Sequence, residues 1–347
     1  MKINVGIIGC GKISQIRHIP EYEANPNVTI KGFYDMDQER TEELARKYDA
    51  KAYTSYEEML ADPEIEAVSV CVANHAHAKI SIEALEAGKH VLCEKPMAIT
   101  LEDCEAMVEA AKKNKRYLMI GQNQRLAKAH QKAKELIAQG AIGEVLTFRT
   151  TFGHSGPETW SIDSGKEVWF FDKNRAAMGA MADLGIHKTD LIQYIIGQKI
   201  TETQACLATI DKRDSKGELI GVDDNAICIY HMEKGAIGTM TASWTYYGEE
   251  DNTTIIYGSK GILRLYDDPQ FSVQLIAADG KRTDYEVDQI QTNDNQTSSG
   301  VIDLFVKSLV EDAPPEISGE SVLHAMKVVF ASVESSKRGE RVIVDKT

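Results

Sequence analysis

Three short clusters in this 347-residue sequence combine residue types at spacings that can do chemistry. The first is Gly9-Cys10-Gly11-Lys12-Ile13-Ser14. Its two glycines allow a tight turn and let a pyrophosphate approach the backbone, and N–H groups at the start of a following helix complement the phosphate charge. Asp35 lies 26 residues beyond Gly9, where a carboxylate can accept hydrogen bonds from an adenosine ribose; Asn25-Pro26-Asn27 absorbs the extra length over the usual ~20. Met36 and Asp37 follow Asp35 directly, with no Arg or Ser. A 2′-phosphate would face two carboxylates, so NAD is favoured over NADP.

The second cluster is Glu94-Lys95-Pro96, after the apolar run His90–Cys93. A lysine at the carboxyl end of a strand in an open α/β sheet stands where ligands bind, and its ammonium can polarise a substrate oxygen. The third is Asp183 to Asp190, in which a helix sets Asp183, His187 and Asp190 on one polar stripe and Leu184, Leu191 and Ile195 on an apolar one. Histidine is the usual group for moving a proton near neutral pH, and a nearby carboxylate can orient it. No third His or Cys lies near in sequence, so no metal site is expected.

Around these clusters the chain divides in two. Residues 1–122 alternate the apolar runs 3–8, 28–34, 67–72, 90–93 and 117–120 with amphipathic stretches such as 77–87 and 101–114. That rhythm predicts a Rossmann-type, doubly wound parallel sheet for a dinucleotide. In residues 123–347 strand-like runs follow one another at 144–152, 201–210, 225–232, 236–246, 253–257, 261–266, 271–277 and 282–287, with helices at 183–196, 300–311 and 319–336. An α+β domain is expected, with a largely antiparallel sheet, helices on one face and the other face open to a partner subunit.

Composition narrows the partners. The formal charge of −14 repels phosphate backbones and acidic lipid, so neither nucleic acid nor membrane is an expected partner. The basic run Lys112, Lys113, Lys115, Arg116 ends a helical pattern and complements its dipole. Six cysteines, at 10, 71, 93, 104, 206 and 228, show no CxxC pair and read as reduced thiols. Too few apolar residues precede Cys10 for a signal segment, and no apolar run reaches ~18 residues. A cytoplasmic location is the expectation.

Together the clusters resemble the Gfo/Idh/MocA family, the group of glucose-fructose oxidoreductase and inositol 2-dehydrogenase. The resemblance covers essentially the whole chain: Ile7 to Gly11, Asn74-His75-Ala76-His77, Ala87 to Val91, Glu94-Lys95-Pro96, Gly140 to Val145, and Asp183 to His187. It implies that Lys95 and His187 flank the reacting carbon with Asp183 beside them. It also implies a cleft lined by Asn74, Glu94 and residues 121–125, and a homodimer or homotetramer built on the open sheet. The expected cofactor set is Gly9, Gly11, Lys12, Ile13, Asp35, Asn74, His77, Glu94, Lys95 and Asn123.

Two departures from the family pattern bear on substrate. A glycine triplet common before the aspartate is Ala177-Met178-Gly179 here, and a frequent pair of arginines after Gly121 is replaced in Gln122-Asn123-Gln124-Arg125. The lost positive charge makes a neutral sugar, polyol or cyclitol the expected substrate. Lys95, Gln124, Arg125, His154, Trp160, Asp183 and His187 are its expected contacts, because the polar loop Phe152–Trp160 can hydrogen-bond hydroxyls and stack on a sugar face. The expected reaction is NAD-dependent oxidation of a secondary alcohol, with Lys95 or His187 as the proton acceptor. The alternative is a redox-neutral glycoside hydrolase or lyase working through a transient keto sugar.

Overall fold

The structure, a computed structural model, describes residues 2–289 and 298–346. Contacts divide the chain into two compact units: Met1–Gln122 with Trp160–Asp163 and Asn293–Leu323, and Asn123–Thr159 with Ser164–Thr292 and His324–Thr347.

The first unit begins β1 (Ile3–Ile8), α1 (Ile19–Ala24), β2 (Val28–Tyr34), α2 (Gln38–Lys47), β3 (Lys51–Ala52) and α3 (Tyr56–Ala61). It continues β4 (Ala67–Val70), α4 (His77–Glu86), β5 (His90–Cys93), α5 (Leu101–Asn114) and β6 (Leu118–Ile120). The six strands form one sheet in the order β3-β2-β1-β4-β5-β6, all pairs parallel. Parallel pairing requires a crossover between strands, and the helices supply it while covering both faces. Hence Ala67–Val70 is buried along its whole length, with no inside-outside alternation. The order reverses beside β1, so the carboxyl ends of β1 and β4 flank the crevice where such sheets bind ligands. α2, α3 and the two-residue β3 have no counterpart in the sequence expectations; α3 and β3 are short, and α2 is strongly polar with few apolar residues. The basic run does end α5, whose Thr100 hydroxyl caps its start by accepting from the Asp103 N–H at 3.1 Å.

The second unit holds α6 (Lys128–Ala138), β7 (Val145–Gly153), α7 (Lys173–Ala176), α8 (Ile186–Ile196), β8 (Ile200–Ala208), β9 (Asn225–Met232) and β10 (Ile237–Ser243). Then come β11 (Thr254–Gly258), β12 (Gly261–Leu265), β13 (Val273–Ala277) and β14 (Arg282–Tyr285). The chain continues through α9 (Val301–Val310) and α10 (Gly319–Arg338) to β15 (Val342–Ile343). Nine strands pair in the order β14-β13-β12-β11-β7-β10-β9-β8-β15. Every pair is antiparallel except β7 with β10, which run parallel from Thr147 opposite Ile237 to Gly153 opposite Ser243. The sheet is therefore mixed, and that one parallel pair brings the carboxyl ends of β7 and β10 side by side.

Alternation along β9 shows the two faces of this sheet. Ala226, Cys228, Tyr230 and Met232 are buried, and the Tyr230 hydroxyl meets that of Thr189 on α8 at 2.8 Å. Ile227 and Ile229 between them are 54% and 40% exposed, and Ile237 on β10 is 43% exposed.

Candidate functional site

In the first unit the glycine turn is built as its chemistry requires. Gly9 has φ +94°, and a Cβ there would stand 2.5 Å from the carbonyl oxygen of Cys71, so only glycine fits. A Cβ on Gly11 would meet nothing within 4 Å, which leaves its backbone open to a bulky anion. Asp35 closes the turn from β2. Its Oδ2 accepts from the Cys10 N–H at 2.6 Å and its Oδ1 from the Asp37 N–H at 2.9 Å. One lone pair on each oxygen then remains for a ribose diol. The helix after the turn is wound as a π-helix over Ser14–His18 before α1 begins, a local widening that recurs at functional sites.

That π turn carries a buried network which the sequence reading missed. His18 Nε2 lies 2.9 Å from Glu94 Oε1, its Nδ1 lies 3.1 Å from Ser69 Oγ, and Tyr22 Oη lies 2.8 Å from the same hydroxyl. Arg17 Nη1 approaches Glu94 Oε1 at 3.4 Å. Burial opposes the charged form of Glu94, but the His18 hydrogen bond and the charges of Arg17, His18 and Lys95 outweigh it and hold the carboxyl well below its ordinary value. Glu94 is thus an ionised, fixed group whose Oε2 accepts from the Lys95 backbone N–H at 3.2 Å. A Cβ on Gly121, directly after β6, would sit 3.0 Å from Glu94 Oε1, a contact so tight that a larger residue there would press on the carboxylate. The signal for the network was the adjacent Arg17-His18 pair at the start of the helix that follows the glycine turn.

The other expected cofactor residues divide by where they point. Lys12, Ile13 and Lys95 are partly exposed and Asn74 is buried at the end of β4. His77 is 1% exposed, and its two ring nitrogens lie 2.7 and 3.0 Å from the carbonyl oxygens of Pro96 and Val72. Burial lowers its pKa against the pull of the two carbonyls, and the neutral ring can donate to only one of them at a time. Gln122, at the end of β6, is buried with neither side-chain polar atom bonded to the protein, which suits a polar ligand at that edge.

In the second unit the parallel β7–β10 pair collects the side chains. His154 follows β7 and Trp244 follows β10, tied by the His154 N–H donating to the Ser243 carbonyl at 3.0 Å. Both reach Asp183: Trp244 Nε1 donates to Oδ2 at 3.0 Å, and His154 Nε2 lies 3.9 Å from the same oxygen. Asp183 does not sit on a regular α-helix. Met181–Gly185 is a second π turn, leading into α8, where His187 stands 6% exposed with its ring 6.0 Å from that of Phe152. The Asp223 carboxylate starts this turn by accepting from the N–H groups of Gly179 and Met181, each at 2.8 Å. Trp244, fully buried, was missed because a lone tryptophan closing a strand looks like core.

Arg125 and Asp190 form a buried fork-to-fork pair, Nε donating to Oδ2 at 2.7 Å and Nη2 to Oδ1. Gln124 Nε2 donates to Asn252 Oδ1 at 3.3 Å, and Asn123 opens the same short 3₁₀ turn, partly exposed. Lys188, next to His187, is wholly buried, with Nζ donating to the Asn252 carbonyl at 3.0 Å; burial pushes its pKa down to about 7 against the pull of Asp251 and Glu250. Trp160 groups with the first unit, apart from His154. Among the described residues no cluster of three or more His, Cys, Asp or Glu could hold a metal ion, and no helix is long and apolar enough to cross a membrane.

Comparison with known proteins finds one family over two stretches of the chain. The sequence model of the Gfo/Idh/MocA oxidoreductase family, NAD-binding Rossmann fold, matches residues 3–122, and that of the family's C-terminal domain matches residues 130–264. A levoglucosan dehydrogenase of Pseudarthrobacter phenanthrenivorans is 32% identical over 287 residues, 75% of this chain and 72% of its own length. A myo-inositol 2-dehydrogenase of Thermotoga maritima is 27% identical over 335 residues, 96% of each chain. The solved structure of levoglucosan dehydrogenase with NADH superposes with a TM-score of 0.88 at 27% identity, covering 99% of each chain.

Proposed function

The chain belongs to the Gfo/Idh/MocA family of NAD-binding oxidoreductases, and from that premise we propose that it oxidises a secondary alcohol of a neutral sugar, polyol or cyclitol. The observation that carries this reading is the buried turn of the second unit, where Asp183 and His187 stand together with His154 and Trp244. NAD, when bound, supplies the hydride acceptor. The chain's own groups do the rest. The turn at Gly9–Gly11 and the carboxylate of Asp35 hold the dinucleotide, and Glu94 fixes the backbone of Lys95.

Lys95 and His187 meet one substrate hydroxyl in this proposal. Negative charge grows on that oxygen as the hydride leaves, so a fixed ammonium acts chiefly in the transition state, and a neutral imidazole can take the proton. Asp183 orients the site through Trp244 and His154. Because the Arg125 guanidinium is engaged by Asp190, its proposed role is to hold α8, leaving little positive charge for an acidic substrate. Gln124 and His154 offer neutral hydrogen-bonding groups, and the relatives named above act on neutral polyhydroxy compounds by their names.

The test is a panel of cyclitols, aldoses, anhydro sugars and glycosides with NAD, monitored for reduced cofactor. Lys95→Ala is expected to lower turnover on the best substrate by about 10² or more while NAD affinity stays within a few-fold. Full turnover in that variant would refute the role given to Lys95. Product formation without stoichiometric NADH would instead favour the redox-neutral alternative, which the dehydrogenase relatives do not support.

The open face of the nine-stranded sheet, with Ile227, Ile229 and Ile237 exposed, supports a homodimer or homotetramer; sedimentation as a monomer at micromolar concentration would contradict it. Six free cysteines support a reducing, cytoplasmic location, which recovery from an extracellular fraction would contradict.

A further inference from the structure

One cation near the ribose-binding carboxylate stands outside the reading above. Arg40, in the first turn of α2, places Nη1 3.7 Å from Asp35 Oδ1 and Nη2 3.3 Å from Asp37 Oδ2. It is the residue here best suited to grip a 2′-phosphate, since a guanidinium matches phosphate geometry and keeps its charge. A third carboxylate also holds it. Asp163, remote in sequence but part of the same compact unit, accepts from Arg40 Nη2 at 3.0 Å. Three carboxylates around one guanidinium leave the locality with a net negative charge, and Asp163 takes a hydrogen bond from Nη2, one of the terminal nitrogens that a phosphate would need. A phosphate monoester carries close to two negative charges at neutral pH, so it meets repulsion where an unencumbered Arg40 would attract it.

We propose that Asp163 is a specificity-determining residue for the dinucleotide: by holding Arg40 against Asp35 and Asp37 it keeps the guanidinium from a 2′-phosphate, and so contributes to the choice of NAD over NADP. The ribose carboxylate is set by Asp35 alone; the new element is a determinant far from it in sequence. The inference rests on the dinucleotide site and not on the identity of the alcohol, so it can be tested without a substrate.

Asp163 has a 76% exposed side chain, which makes Asp163→Asn safe for folding and sets the scale of the effect to that of an exposed ion pair. Isothermal titration of the full chain with NAD and with NADP is the experiment. Asp163→Asn is expected to tighten NADP about two- to fivefold and leave NAD within twofold. The gain is expected to vanish in Asp163→Asn combined with Arg40→Gln, and to shrink as salt is raised, because exposed charges are screened. An unchanged ratio of NADP to NAD affinity, an equal change in both, or a gain that survives loss of Arg40 would overturn the proposal. Loss of activity on the alcohol panel, with this ratio shifted as expected, would speak against the reaction and not against Asp163.

Discussion

At the scale of single residues, the candidate groups could be read from local spacing and the groups packed against them could not. Gly9, Gly11, Asp35, Lys95, Asp183 and His187 stand out because glycine turns, strand-end lysines and helix-borne carboxylate–imidazole spacings have local signatures. His18, Ser69, Arg40 and Trp244 lie from 47 to 123 positions from the partners they meet, or look like ordinary helix and core residues. Only folding brings them to their partners. Glu94 shows what such partners do. Its native pKa lies below the ordinary carboxylate value of 4.5. The stability its ionised form contributes is therefore fully present above that value and is lost as pH falls toward the native one. Glu94→Gln leaves Arg17 and His18 facing a neutral group and is expected to cost about 3 kcal/mol in urea unfolding at pH 7. The gap to wild type should narrow as the pH drops below 4.5. A gap that stayed constant into that range would show that the carboxylate charge is not what the network stabilises.

At the scale of elements, the strand positions followed from apolar runs, while the exceptions to regularity decided the site. The alternation that marks β7 and β10 says nothing about their direction, yet their parallel pairing is what sets His154 beside Trp244. Likewise the 183–196 pattern reads as one helix, but Met181–Gly185 is wound as a π turn started by Asp223, a residue from a distant loop. The segment before it makes a testable contrast. Ala177 is held at φ +64°, a conformation that strains any residue with a Cβ, whereas Gly179 has no room for one: a Cβ would lie 1.9 Å from the Asp223 carbonyl oxygen. Ala177→Gly is expected to raise stability by about 1 kcal/mol. Gly179→Ala is expected to lower it by roughly 2–4 kcal/mol. Thermal unfolding of the two variants checks this, and a stabilising Gly179→Ala or a destabilising Ala177→Gly would contradict the local geometry.

At the scale of the whole molecule, the sequence changes rhythm after residue 122, from helix-separated apolar runs to successive strands, whereas contacts group Trp160–Asp163 and Asn293–Leu323, both beyond that point, with the first unit. No periodicity marks a few residues that leave one unit for another. The proposed reaction makes its demand at this scale: the Lys95 ammonium and the His187 imidazole must serve a single oxygen. A crystal structure of the protein with NADH and a polyol from the active panel measures that relation directly. The account predicts Lys95 Nζ and a ring nitrogen of His187 both within about 3.2 Å of one substrate hydroxyl oxygen, on the carbon that faces the nicotinamide. Two nitrogens bound to different parts of the ligand, or either one beyond direct hydrogen-bond reach with no bridging water, would contradict it.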